Sequence, residues 1–305
     1  MSTNAPAISD VATAAEVQRD LGPQGRLASV RRFVRWKPVG AASAGFILLV
    51  VFMAVFAPLI APYDPTQTMP ADNLQAPSLS HPFGTDAVGR DVFSRIAHGA
   101  RVSLLVGVTS VTLAVIVGTA AGAASAYFGG LFDLLFQRFI DALLALPLLI
   151  IALALVSALG RQSGFIMLAI AIGIFPNVSR VARSVTLTVK QEPYVDAAVS
   201  LGASQVRVMA LHILPNIVPP LLVISTTLLG AAIVVESALG FLGLGTQPPA
   251  PSWGNMIGGS ARFELQSAPW LVWAPSLAIS LTVLSFNLLG DALRDVLDPR
   301  LRGSR

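Results

Sequence analysis

Ionisable side chains are scarce in this chain: 20 Lys and Arg, 16 Asp and Glu and 3 His among 305 residues. Any that interrupts an apolar run therefore needs a reason. His81, His98 and His212 are too far apart for a zinc-protease spacing, and there is no cysteine, so a thiolate metal site, a disulfide and a cysteine nucleophile are all excluded. The only lysines, Lys37 and Lys190, do not follow a glycine, so the chain cannot supply a phosphate-binding GxxxxGK[ST] loop. Glu236 stands inside "LLGAAIVVESALG". An acid at the bilayer centre costs roughly 2.5–3.5 kcal/mol, so it should face a bundle interior or a cavity. It is either an interfacial acid bonded to nearby backbone or hydroxyls, or a group lining the outer part of a pathway or gate. The second unusual passage is "YVDAAVSLGASQVRVMALHILPN", residues 194–216, which places Asp196, Gln205, Arg207 and His212 between long apolar stretches. Its chemistry is that of recognition and not of catalysis.

The elements that must position these groups follow from composition. The chain is 54% hydrophobic and 12% charged, against about 25% charged in a soluble domain. That deficit points to an all-α, polytopic membrane protein in a lipid bilayer. Six spans are expected, at about 40–60, 102–127, 136–159, 163–180, 214–239 and 271–290, the first of them uncleaved. Pro147 and Pro176 fall inside the third and fourth, where neighbouring helices can re-satisfy the freed backbone groups. Gly118 and Gly122 make a GxxxG face for close helix packing. The net charge of +4 could suggest nucleic acid, but 18 of the 20 basic residues are arginines scattered in short loops. Topology explains them better. With the N-terminus inside, fifteen basic residues fall in inside segments and five outside, which puts both termini in the cytoplasm. The chain then divides into a cytoplasmic tail (1–39), a first span with its outer loop (40–101), a core (102–290) with a cytoplasmic loop (181–213), and a C-terminal tail (291–305).

Within that loop Pro193 suits a first helical position. Tyr194, Ala197, Ala198 and Leu201 then share one face, and Asp196 complements the helix dipole. Gly202 permits a sharp turn or a close approach. A second short helix is expected from Ser204 to about Leu211, with Leu214 and Pro215 marking entry into the next span. The small residues make a surface on which another backbone could sit, a docking element; a connector lying on the inner membrane face is the plainer alternative.

The order Asp-Ala-Ala, three residues, Gly, then Leu-Pro resembles the EAA loop of ABC-importer permeases, between Asp196 and Pro215. Asp196 stands where the general pattern has Glu, and His212 where it often has Ile; "HILPN" resembles the peptide-transporter branch. "HPFGTDAVGRDVFSRIAHGARVSL" (81–104), "ESALGFLGLGTQPPAPSWGNMI" (236–257) and "TVLSFNLLGDALRDVLDPRLR" (282–302) resemble segments of dipeptide, oligopeptide and nickel importer permeases. The resemblance covers roughly residues 40–302 and implies a type I ABC importer permease fold in a bacterial or archaeal cytoplasmic membrane. It implies that Tyr194, Val195, Asp196, Ala197, Ala198, Leu201, Gly202, Ala203, His212, Leu214 and Pro215 form the loop that couples to ATPase subunits. It also implies a second homologous permease, two ATP-binding subunits and an external solute-binding protein. ATP and Mg would bind on those partner chains, so this chain would carry no cofactor and no catalytic centre. Di- or oligopeptides are the expected cargo, with nickel or another small solute as the alternative. A secondary transporter or channel subunit is the rival of a different class; it would need mid-membrane ionisable groups beyond Glu236 and repeat-related broken helices.

Other charges read as anchors. Arg138 and Asp141 can meet at i,i+3, with Asp133 nearby at the start of the third span. Asp86, Arg90 and Asp91 read as a solvated outer-loop cluster on composition, while the resemblance implies a structural role at the outer face or a contact with the binding protein. Trp253, Trp270 and Trp273 read as an interfacial aromatic belt.

Overall fold

The computed structural model describes residues 31, 34–259 and 261–297. The expected tail over residues 1–30 and the closing basic residues Arg300, Arg302 and Arg305 lie outside the described residues. In chain order the helices are α1 (Pro38–Val55), α2 (Ala57–Ile60), α3 (Val92–Phe128), α4 (Gly130–Leu144), α5 (Leu148–Leu159), α6 (Ser163–Val189), α7 (Pro193–Ser200), α8 (Gln205–Val208), α9 (Leu214–Phe241), α10 (Trp253–Ile257) and α11 (Trp270–Leu297). Among the described residues the only β pairing is an isolated bridge between Thr85 and Asp91. Five stretches are long and apolar enough to cross a bilayer: Pro38–Val55, Val92–Phe128, Ser163–Val189, Gln205–Phe241 and Trp270–Val296. The pair α4 and α5, bent by 89°, is either a broken sixth span or a re-entrant loop.

Three spans differ from expectation, each for a local reason. The third is not one helix. Pro147 has no N–H to continue α4 and instead caps α5 with φ −57 and ψ 138. The second begins at Val92 and not near 102, because the Asp91 carboxylate accepts from the Ser94 N–H and caps it. Its 37 residues span about 55 Å, well beyond a hydrocarbon core of about 30 Å. The fifth does not begin at Leu214. A π turn over Met209–Ile213 joins α8 to α9 without a break, and the Leu214 N–H reaches back to the Met209 carbonyl. A wider turn is how a helix absorbs Pro215, which lacks an N–H and would crowd the carbonyl one turn back.

The most intimate pairing is α3 on α6. A Cβ on Gly118 would lie 2.9 Å from Val178, and one on Gly122 would lie 2.2 Å from the Ser179 carbonyl oxygen. The GxxxG face is thus a backbone-to-backbone contact, the mode available where lipid offers helices no hydrophobic drive to associate. Around it Val111, Ala114, Ile170, Ile174, Val178 and Leu221 form the larger buried cluster. A second cluster joins α1, α3, α9 and α11 through Val50, Ala54, Leu104, Ile233 and Phe286.

Polar ties define the two ends of the bundle. At the end carrying residues 190–213, here the proximal end, Lys190 Nζ donates to the Tyr127 carbonyl at 2.7 Å and Lys37 pairs with Asp295. Arg183 grips Asp133 through two hydrogen bonds, 2.8 and 2.6 Å, and Arg180 donates to Asp141 at 2.5 Å. Arg138 approaches the same Asp141 at 3.7 Å, as its spacing predicts. Asp133 and Asp141 are eight residues apart on α4 and their partners Arg183 and Arg180 are three apart on α6, so two ion pairs fasten α4 to that helix. At the distal end Trp270 Nε1 donates to the Thr85 carbonyl and Trp253 Nε1 to the Ile96 carbonyl, both at 3.1 Å. The expected aromatic belt is corrected accordingly: Trp253 is fully buried and Trp270 half-buried, each spent on an internal bond, while Trp273 is exposed.

Gly122→Val should lower the apparent unfolding midpoint of the detergent-solubilised chain, an overpacking cost of about 1–3 kcal/mol. Gly45→Val is the matched control, because a Cβ at Gly45 meets nothing within 4 Å; its midpoint should stay unchanged.

Candidate functional site

The proximal loop is built as a rigid turn with an apolar ridge. Pro193 opens α7, and Glu192 precedes it in extended backbone, as a residue before proline prefers. The helix closes on Leu201 with Gly202 at φ +84. The Gly202 N–H bonds the Val199 carbonyl at 2.9 Å and the Ala203 N–H bonds the Ala198 carbonyl at 3.0 Å. Together these make a Schellman turn, which satisfies the last carbonyls of α7 and needs a left-handed residue at the glycine. Ser204 then caps α8, accepting from the Arg207 N–H.

The loop is fastened from beneath. Val195, Val208 and Ile213 are buried in the larger core cluster, with Ala203 packed against it. Asn216 Nδ2 donates to the His212 carbonyl at 2.6 Å and to the Tyr194 hydroxyl at 3.2 Å. The Tyr194 and His212 rings lie 6.0 Å apart. What remains outside is apolar: Leu201 is 89% exposed and Val206 79%, with Val199, Leu211 and Tyr194 also exposed. The shared face expected for Tyr194, Ala197, Ala198 and Leu201 is thus mostly the outward one. Ala198 is half-buried, Val195 is the residue that anchors, and Asp196, Leu214 and Pro215 are exposed. Gly202 is exposed too, and a Cβ there meets nothing within 4 Å, so the glycine serves the turn and relieves no close approach within this chain. Val199, Val206 and Leu211 were not singled out by spacing. Apolar residues are common throughout this loop, so nothing in their spacing separates these three from the buried Val195, Val208 and Ile213 until α7 and α8 are placed side by side.

Glu236 lies near the distal end of α9 and is 1% exposed. Its Oε2 accepts from the Ser103 hydroxyl at 2.9 Å, with the Ser237 hydroxyl at 3.5 Å, while Oε1 has no partner among the described residues. Ser103 Oγ also accepts from the Trp253 N–H at 3.4 Å, so one hydroxyl joins α3, α9 and α10. The segment around α10 folds back into the bundle here. A Cβ on Gly254 would meet the Ser237 carbonyl oxygen at 2.4 Å, and one on Gly240 the Asn255 nitrogen at 2.8 Å. Ser252 and Asn255 form a capping box, and Asn255 Nδ2 holds the Ala250 carbonyl at 2.9 Å.

The outer-loop charges are not all solvated as expected. Asp91 is fully buried, bonded to the Ser94 N–H and hydroxyl and to His81 Nδ1 at 3.0 Å. Asp86 accepts from the Val88 and Arg90 N–H groups and from Arg90 Nε at 2.6 Å. Among the described residues no group of three or more His, Asp or Glu side chains is placed to hold a metal ion.

Comparison with known proteins agrees with this geometry. Residues 102–303 match the family model for the binding-protein-dependent transport system inner membrane component, and residues 26–77 match the N-terminal TM domain of oligopeptide transport permease C. The dipeptide transport system permease protein of Alkalihalophilus pseudofirmus is 43% identical over 272 residues, 88% of this chain and 89% of the relative. The glutathione transport system permease proteins of Escherichia coli O6:K15:H31 and Shigella boydii serotype 4 are 43% identical over 274 residues, 90% of either chain.

Two substitution series test the geometry. At Gly202, Asn should retain most of the turn and Val should lose about 1–2 kcal/mol of it, since a branched residue resists positive φ. Hydrogen exchange at the Ala203 amide should rise in the order Gly, Asn, Val. At the distal end, Ser103→Ala removes a donor from a buried carboxylate and should cost about 1–3 kcal/mol in thermal melts. Ser110→Ala, which deletes a buried hydroxyl with no partner among the described residues, should cost nothing or stabilise.

Proposed function

Because this chain belongs to the family of binding-protein-dependent transport system inner membrane components, we propose that it passes short peptides across the bilayer and takes its driving force from separate ATPase chains through α7 and α8. The single observation that carries this reading is the ridge of Val199, Leu201, Val206 and Leu211, exposed on a turn whose underside is locked into the core. Apolar side chains held rigidly outward, with polar neighbours, are what a partner's cleft requires. The peptide cargo is supported by the dipeptide and glutathione names of the relatives.

In this mechanism a second, similar permease encloses the pathway with this one. ATP and Mg bind on two ATP-binding chains, and an external binding protein delivers the peptide. The excess of basic residues at the proximal end supports a cytoplasmic location for that end and for both termini. The distal end then faces outward. When the ATPase chains close, they push on the ridge, and Val195, Val208 and Ile213 pass the displacement into the spans. Glu236 sits at the outer side, where its bond from Ser103 ties α9 to α3 beside the α10 segment, a position suited to lining the outer part of the pathway or a gate.

The test is co-purification of the tagged chain with its partners. Leu201→Glu together with Val206→Glu should reduce recovery of the ATPase chains by roughly tenfold or more, as loss of central apolar contacts does elsewhere. The second permease should be retained, because neither residue contributes to the buried core. Undiminished ATPase recovery in that variant would remove the docking role from this loop. Uptake of a labelled dipeptide, compared with a nickel salt, decides the cargo.

A further inference from the structure

At the distal end a cavity of about 150 Å³ lies between the start of α3 and the chain after α10. Asp86, Arg90, Arg95, Asn255, Gly259 and Leu271 are in its wall. Its charge is unbalanced. One Asp86 oxygen is taken by two backbone N–H groups and the other by Arg90 Nε at 2.6 Å. Arg95 comes no nearer to that carboxylate than 3.8 Å and donates instead to the Pro65 carbonyl at 2.9 Å. Arg95 is 5% exposed. Two guanidinium groups therefore share one carboxylate in a largely enclosed space, which leaves one positive charge among the charged groups of the wall. A buried cation without a full counter-charge is costly, and the cost falls when an anion enters.

We propose that this cavity is a carboxylate-binding site, which takes a single carboxylate between Arg90 and Arg95. The net charge of one suits a monoanion. A dianion such as phosphate would be opposed by Asp86 in the same wall. Guanidinium forks match a carboxylate in geometry, and Leu271 and Val92 offer an apolar wall for the short carbon stem behind it. The carboxylate comes either from the C-terminus of a peptide or from an acidic side chain of the delivering protein. This rests on the reading that the distal end faces outward.

The experiment uses the assembled importer in nanodiscs, with sodium acetate as the probe and acetamide as its neutral match at constant ionic strength. Acetate should raise the thermal midpoint and acetamide should not. In Arg90→Gln the half-saturating acetate concentration should rise roughly tenfold, the loss expected for one charge-assisted hydrogen bond. Equal responses to acetate and acetamide, or an unchanged acetate response in Arg90→Gln, overturn the site. Should Arg90→Gln fail to assemble, Arg90→Lys keeps the charge without the fork and must show the same loss in weaker form.

A second arm separates the sources. Hydrolysis stimulated by a free dipeptide is compared with that by its C-terminal amide, and docking of the binding protein is measured alongside. If Arg90→Gln erases a preference for the free acid, the carboxylate belongs to the peptide. If the preference persists while docking weakens, it belongs to the binding protein. If neither changes, the proposed role in transport is overturned. Recovery of ATPase chains reports separately on the coupling loop, so failure of that reading is distinguishable from failure of this one.

Discussion

The structure depends on one close approach, the crossing of α3 and α6 at Gly118 and Gly122. In a bilayer, lipid tails are as apolar as leucine, so helices hold together by contact and by hydrogen bonds. A contact between backbones gives the densest packing available, and a methyl group at Gly122 would meet a carbonyl oxygen. From that point α3 runs to the distal end, where it carries Ser103, Ile96 and Arg95. α6 runs to the proximal end, where Arg180, Arg183 and Lys190 tie in α4 and the Tyr127 carbonyl. The two ends are registered against each other because these two helices cannot slide.

The ends are built from different materials. The distal one is closed by polar bonds into the backbone: Asp91 caps one helix, Ser252 with Asn255 boxes the start of another, and Trp253 and Trp270 each bond a carbonyl across the fold. The proximal end has its own polar ties between α4 and α6, but its loop is held by apolar anchors below and presents apolar side chains above, with a glycine turn between. A closed polar network resists displacement in every direction. An apolar ridge on a capped turn can transmit a push while the turn itself keeps its shape.

Much of this was legible in the sequence. Five of the six apolar runs are spanning helices and the other is the bent pair α4 and α5, GxxxG marked the close crossing, and the i,i+3 spacing of Arg138 and Asp141 marked their contact. The order Asp-Ala-Ala, Gly, Leu-Pro marked the proximal loop. What was not legible depends on partners distant in the chain. The bend at Pro147 looks from composition like any tolerated membrane proline, and the pairing of Asp133 and Asp141 with Arg183 and Arg180 on α6, which holds α4 in place, is not visible there. Leu-Pro at 214–215 reads as a boundary because proline usually starts a helix, whereas here a π turn lets the helix run through. Asp91 reads as solvated and Trp253 as interfacial because burial of a polar group depends on a partner, and theirs are His81 and Ile96 on other parts of the fold. Glu236 was expected to bond nearby hydroxyls; it does, but the principal one is 133 residues away.

The π turn has a mechanical consequence. Because it joins α8 to α9, the exposed Val206 and the buried Glu236 stand on one uninterrupted 37-residue helix. Such a rod is about 55 Å long, and a tilt of about 5° about one end displaces the other by about 5 Å. A helix broken at Leu214 would absorb a tilt of that kind in its joint. Here the joint at Leu214 has been replaced by a wider turn, so rotation imposed near Val206 travels along the span toward Glu236, and the place left where it can be absorbed is the pair Pro219 and Pro220 inside α9.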